Sequence, residues 1–224
     1  MEIYETHVPQ AHSAIATRDE GDWMNLSDLR LLYICLCVVL GIIILTPTLA
    51  IFIQFPGEET FSELWLFGSN SEGKVGNYPF NISVNQAYNV SLGIRNHMGK
   101  VEYYKILVKL KNQTDLWPND KDRIPSNLNP ITEYRLLLRN GDSWEQEVLF
   151  SFGDVFFGDN TSVISRITVT GDSFNIEKSA TWDPQGQGYY YQLFFELWRY
   201  NDAVSTFQYD NRFVSIALNM TENT

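Results

Sequence analysis

The stretch "AYNVSLGIRNHMGKVEYYKILVKLK", Ala87 to Lys111, decides the fold. In its first part Tyr88, Val90, Leu92 and Ile94 alternate with Asn89, Ser91, Gly93 and Arg95. In its second part Tyr104, Ile106, Val108 and Leu110 alternate with Lys105, Lys109 and Lys111. Successive side chains of a strand point to opposite faces, so this period of two predicts two strands, each apolar on one face. The intervening "NHMGK" is turn chemistry, with Gly99 free to take a positive φ. The two strands read as a first hairpin. His97, the single histidine after residue 12, falls at the connection, where it is expected to hydrogen-bond backbone as a turn residue.

The same period recurs along residues 56–224. "EYRLLLR" sets Tyr134, Leu136 and Leu138 inward, and "WEQEVLFSF" sets Trp144, Val148, Phe150 and Phe152 on one face. Asn140-Gly141 between them is a type I′ signal and predicts a second hairpin. Further strands read as "VISRITVT" (163–170), "SFNIE" (173–177), "YYYQLFFELWRY" (189–200) and "RFVSIAL" (212–218). About eight short strands with regular turn signals and no competing helical period predict an all-β, immunoglobulin-like β-sandwich. One stretch does not alternate: "TDLWPNDKDRIPSNLNP", Thr114 to Pro130, with three prolines. Loops of this length inside a compact domain are uncommon and often functional.

Ahead of this domain lies "LLYICLCVVLGIIILTPTLAIFIQF", Leu31 to Phe55, without a charge in 25 residues. About 20 apolar residues of helix cross a bilayer core, and no polar stripe marks this run as a soluble core helix. It is too long and too far from the start for a cleaved signal peptide. The expected organisation is a cytoplasmic tail (1–28), one transmembrane helix (29–55) and an extracellular β-sandwich (56–224). Arg18 and Arg30 precede the span, whereas Glu58, Glu59 and Glu63 follow it before Lys74. The positive-inside rule therefore places the N-terminus in the cytoplasm. Membrane lipid is the first partner implied. Cys35 and Cys37, both within the span, read as small apolar fillers.

Five N-x-S/T sequons, at Asn81, Asn89, Asn112, Asn160 and Asn219, suit an external surface, with a glycan expected at Asn81, Asn89 or Asn112. The external part has no cysteine. Sequons without disulfides fit an archaeal cell surface better than a secreted eukaryotic domain.

At this point a family resemblance emerges. "SELWLFG" (Ser62 to Gly68), "NYPFNISV" (Asn77 to Val84) and "LGIRNH" (Leu92 to His97) carry it. They resemble three steps of an uncharacterised archaeal membrane family, domain of unknown function 1616. Met98 stands where the family has an acidic residue, and one span precedes the domain where many members have several. The resemblance implies a fold, a compartment and a lineage, but no reaction.

Little in the chain points to chemistry. A Ser-His-Asp or Cys-His site needs a histidine beside a nucleophile. His97 stands alone, no external cysteine exists, and no G-x-S-x-G elbow occurs. One histidine is too few for zinc or copper. "DLWPNDKD" and "GDVFFGDN" offer oxygen ligands without EF-hand spacing and read as solvated loops. No carboxylate pair is singled out for glycoside hydrolysis. With 27 Asp and Glu against 16 Lys and Arg, nucleic acid is a poor partner. No catalytic residue, metal or cofactor is therefore expected.

The strand Tyr189 to Tyr200 is more informative. Tyr191, Leu193, Phe195 and Leu197 fill one face, while Tyr190, Phe194, Trp198 and Tyr200 occupy the other. An apolar outer face needs a cover. The candidates are loop 114–130, another membrane or envelope protein, or a sugar stacked on Trp198 and Tyr200. The expected role is a non-enzymatic accessory or structural subunit of an archaeal cell-envelope assembly. The alternative is a carbohydrate-binding surface module, and a glycan-processing enzyme ranks lower.

Overall fold

A computed structural model describes residues 26–52, 59–69 and 77–221. Contacts divide the chain into two units, Met1–Gly57 and Glu58–Thr224. The expected cytoplasmic tail lies almost wholly outside the described residues.

The first unit contains one helix, α1 (Leu26–Phe52). Its 27 residues span about 40 Å at 1.5 Å per residue, enough to cross a bilayer core. Leu31, Tyr33, Ile34, Ile42 and Leu45 are all exposed, on every side of the helix. A helix apolar all round requires an apolar environment on all sides.

The second unit is built from ten strands: β1 (Phe61–Gly68), β2 (Asn81–Ser83), β3 (Ala87–His97), β4 (Glu102–Lys111), β5 (Thr132–Leu138), β6 (Ser143–Gly158), β7 (Thr161–Val169), β8 (Asp172–Asp183), β9 (Gly188–Asn201) and β10 (Thr206–Thr221). One sheet runs β1-β3-β6-β7-β8 and the other β5-β4-β9-β10-β2. All pairs are antiparallel except β10 with β2. Among the described residues, the two sheets are joined strand to strand where the end of β8 pairs with the start of β9, at Trp182↔Tyr189 and Asp183↔Gly188.

The alternating residues do what their pattern predicts. Val90, Leu92 and Ile94 of β3 and Val148, Phe150 and Phe152 of β6 are buried. Across the sandwich they share one core with Tyr104, Ile106 and Val108 of β4 and Tyr191, Leu193, Phe195 and Leu197 of β9. The Tyr104 hydroxyl bonds to Ser62 at 3.0 Å and Asn96 at 3.2 Å, and burial pushes its pKa up to about 12.

Two expected hairpins are arches instead. β3 pairs with β1 and β6, whereas β4 pairs with β5 and β9, so "NHMGK" carries the chain from one sheet to the other. Asn140-Gly141 does the same between β5 and β6. In that turn only Gly141 has a positive φ, at 85°, and Asp142 N–H bonds to Arg139 C=O, which is type II geometry rather than type I′. The two arches lie side by side: Asn96 N–H donates to Asp142 C=O and Gly141 N–H to Asn96 C=O. The left-handed two-residue turns characteristic of hairpins sit elsewhere, at Asp159-Asn160 and Thr170-Gly171.

The arches also correct the reading of His97. It is Asn96, not His97, that organises the backbone here. The buried Asn96 amide donates to Lys100 C=O and Leu138 C=O and accepts from Met98 N–H. His97 ends β3, stacks on Phe61 with ring centroids 4.7 Å apart, and lies 3.3 Å from a Glu63 carboxylate oxygen.

Candidate functional site

The outer face of the second sheet carries the densest functional chemistry. Its cross-strand register sets Lys109 beside Phe194, Leu107 beside Glu196 and Lys105 beside Trp198. On the far side of β9, Phe207 pairs with Tyr200 and Tyr209 with Trp198. The face divides into a covered half and an open half.

The cover is the chain's own loop, residues 112–131. Trp117 lies edge-on to Phe194 at 5.8 Å and stacks on Phe213 at 5.3 Å, with the Lys111 ammonium 4.5 Å above its ring. Phe194 is thereby fully buried. Beside it lies a buried ion pair, Lys109 Nζ to Glu196 Oε2 at 2.7 Å. Lys109 also donates to the Ser126 carbonyl and hydroxyl, both at 3.1 Å. Glu196 accepts from Ser126 N–H at 2.8 Å and from the Trp198 indole at 3.3 Å. Burying two charges is tolerable only when their remaining donors and acceptors find partners. Here Ser126 supplies them, so the pair fastens the loop to the sheet.

Side chains also fix the loop at other points. The Asn112 carbonyl oxygen accepts from Thr114 N–H and Asp115 N–H, and its amide donates to Ser179 C=O at 2.7 Å. Tyr209 donates to Asp120 at 2.9 Å. Lys178 donates to Asp115 at 2.8 Å. Burial raises the Asp115 carboxyl, but the hydrogen bonds from Lys178 and Asn112 N–H outweigh it and hold the pKa below the ordinary carboxylate value.

The open half holds Tyr103, Trp198, Tyr200, Phe207 and Tyr209, all half-buried. Tyr103 and Tyr200 pack on Phe207 at 5.0 and 5.3 Å. Lys105 Nζ stands 4.7 Å from the Phe207 ring and 5.3 Å from Trp198, and Arg135 approaches Phe207 at 6.0 Å. Leu137, next to Tyr103 on edge strand β5, is 70% exposed. Aromatic side chains and arginine are the residue types enriched in protein interfaces.

The four residues singled out from the sequence thus have three fates. Trp198 and Tyr200 belong to the open half. Phe194 lies beneath Trp117 and presents nothing to a partner or a sugar. Tyr190 is about 27 Å from Trp198 along β9, bonded to Gly186 C=O, and takes no part in the patch. The sequence reading did not include Tyr103, Lys105, Phe207 and Tyr209. The pairs Tyr103/Lys105 and Phe207/Tyr209, each spaced by two, carried the signal for them.

The sequons also separate. Asn81 and Asn160 are exposed, and Asn89 is half-exposed. Asn112 has its amide committed to Ser179. Asn219 is 6% exposed and its carboxamide is wedged against Gly188, where even a Cβ would approach its oxygen to 1.8 Å. A glycan at Asn219 does not fit the folded domain. Among the described residues, no three His, Cys, Asp or Glu side chains are grouped to hold a metal ion.

Comparison with known proteins gives a family match over part of the chain and no reaction. No curated protein sequence matches the chain. Among solved structures it is similar to a β-glucosidase from Listeria innocua in complex with glucose, at 10% identity and a TM-score of 0.36, covering 72% of this chain and 16% of that one. It is also similar to the CARDB domain of a Pyrococcus furiosus protein in complex with di-metal ions, at 8% identity and a TM-score of 0.35, covering 73% and 90%. A cohesin module from a Clostridium perfringens family 33 glycoside hydrolase matches at 9% identity and a TM-score of 0.27, covering 74% and 100%. The chain thus spans only 16% of the glucosidase's length. Residues 56–155, which include every motif of the resemblance drawn from Ser62 to Leu110, match the family model described as domain of unknown function, DUF1616.

Proposed function

We propose that this chain is a single-pass membrane protein whose external β-sandwich serves as a non-enzymatic accessory or structural subunit of an archaeal cell-envelope assembly. The observation that carries this reading is the open half of the outer face, set on a domain whose chain also holds an all-apolar helix. Half-buried Tyr103, Tyr200 and Phe207 pack together with Lys105 and Arg135 over the Phe207 ring, and exposed Leu137 pairs with Tyr103 beside them. Surfaces of this kind on soluble faces mark docking sites. The cations lie over the Phe207 ring, which favours a protein partner over a sugar stacked on that ring. Arg18 and Arg30 ahead of the span support an outward-facing domain. Sequons without cysteines in that domain support an archaeal surface.

The test is a photo-crosslinking amino acid placed at Leu137 and, as a control, at exposed Asn175 on β8. The native complex is then extracted in mild detergent and the adducts are identified by mass spectrometry. The proposal expects one stoichiometric membrane or envelope protein linked from Leu137 and none from Asn175. A monomer without adducts at either position would contradict it.

A further inference from the structure

The open half of the outer face is made of two cross-strand rows. One runs Leu137, Tyr103, Tyr200 and Phe207 across β5, β4, β9 and β10. The other runs Arg135, Lys105, Trp198 and Tyr209. Strands lie about 4.8 Å apart, so each row is about 14 Å long, the span of about four residues of extended chain. The first row is apolar and aromatic. In the second, both charged residues are positive, although the chain as a whole has a formal net charge of -11.

Lys105 is the unbalanced member. The outer face of β4 carries Lys105, Lys109 and Lys111. Lys109 donates to Glu196 and Ser126, and Lys111 donates to Asn112 C=O at 2.9 Å. Among the described residues, half-buried Lys105 has no hydrogen bond and no ion pair, and its ammonium stands over the Phe207 and Trp198 rings. Ring faces attract a cation, but its three N–H donors still call for oxygen acceptors. Lys105 also lies directly opposite Arg135. Like charges in that position destabilise a sheet. Arg135 has a carboxylate of its own, Glu133, at 2.6 Å, whereas Lys105 has none. The nearest acid of the loop, Asp120, accepts from the Tyr209 hydroxyl.

These charges select the partner. A second copy docking through the same face would set cations against cations, because a two-fold interface brings one patch against itself. A phosphate headgroup recruits several charged donors at once, and Arg135 is already held by Glu133. A neutral sugar leaves the ammonium uncompensated. A single carboxylate matches the single free ammonium, and apolar side chains next to it match the row from Leu137 to Phe207.

We propose that the partner docks an acidic polypeptide segment on this face. An aspartate or glutamate of that segment accepts from Lys105 Nζ between Trp198 and Phe207. Apolar side chains flanking it pack on Tyr103, Tyr200 and Leu137. This rests on the reading of the open half as a docking surface and adds the chemistry of what docks there.

The test uses the full-length chain in its native membrane, with the photo-crosslinking amino acid at Leu137 as the probe. Crosslinking is run with Lys105 intact and in Lys105→Arg, Lys105→Met and Lys105→Glu. Each variant is expected to melt within about 2 °C of the parent, since Lys105 has no hydrogen bond or ion pair to lose. Lys105→Arg should keep most of the adduct. Lys105→Met and Lys105→Glu should lower it at least about tenfold, the loss of one charge-assisted hydrogen bond. Raising salt from about 0.1 M to about 1 M shortens the screening length from about 10 Å to about 3 Å and should lower the parent's yield as well. Peptide mapping should place the link in a partner segment with an Asp or Glu among apolar residues. An adduct undiminished in Lys105→Met and Lys105→Glu, or a linked segment without an acidic residue, would overturn the carboxylate and leave the docking surface standing. A link to lipid or to a second copy of this chain would overturn the proposed partner. No adduct with Lys105 intact would remove the docking surface itself, and this proposal with it.

Discussion

Removing the ammonium of Lys109 should release the loop that covers the second sheet. Lys109→Met keeps most of the side-chain volume and leaves the Glu196 carboxylate buried without its counter-charge. Both partners are almost wholly inaccessible, at 3% and 0%, and 2.7 Å apart. Breaking such a pair by deleting one partner costs about 3–5 kcal/mol. For a domain the size of Glu58–Thr224, each kcal/mol moves the melting temperature by about 2–4 °C, so a fall of about 6–20 °C is expected. The assay is thermal unfolding of the full chain in detergent, followed by tryptophan fluorescence. Glu196→Gln in the Lys109→Met background removes the stranded charge and keeps one carboxamide oxygen to accept from Ser126 N–H. The double variant should therefore recover at least about 1 kcal/mol relative to the sum of the single changes. A shift below about 2 °C in Lys109→Met, or strictly additive effects, would refute the idea that this pair fastens the loop.

Three further outcomes follow from particular contacts. A Cβ at Gly93 would lie 2.0 Å from the Trp65 ring, so Gly93→Ala should destabilise the domain by about 1–3 kcal/mol in a chemical denaturation curve. Asp115 has a depressed folded pKa, so its stabilisation is present above the unfolded value of about 3.9 and is lost as pH falls through the folded value. Melting temperatures measured from pH 6 downward should therefore fall less steeply below about pH 4 in Asp115→Asn than in the wild type. Intact-glycopeptide mass spectrometry of the native protein should find glycans confined to Asn81, Asn89 and Asn160, with Asn219 bare.

The faces of the strands were legible in the sequence because a period of two assigns each side chain to a side before its neighbour is known. Leu92, Ile106, Phe150 and Leu193 all lie where alternation puts them. Partners were less legible. An Asn-Gly turn fits an arch as well as a hairpin, and only the facing core positions of Leu138 and Val148, from opposite sheets, decide between them. The loop stood out through its prolines and broken alternation. Its fastening did not, because Lys109 and Glu196 are 87 residues apart and each reads as an ordinary polar residue on an outer face. The two-residue bulge at Asp210-Asn211 of β10 was not legible either, because no local pattern announces where an antiparallel pair slips.

The central claim is a β-sandwich held outside the cell by α1, and protease added to intact spheroplasts of the native host tests it most directly. The account predicts that an epitope at the C-terminus is lost while an N-terminal epitope survives on a short membrane-bound fragment. Survival of the C-terminal epitope with loss of the N-terminal one would reverse the orientation, and recovery of the whole chain in the soluble fraction would show that α1 is not an anchor.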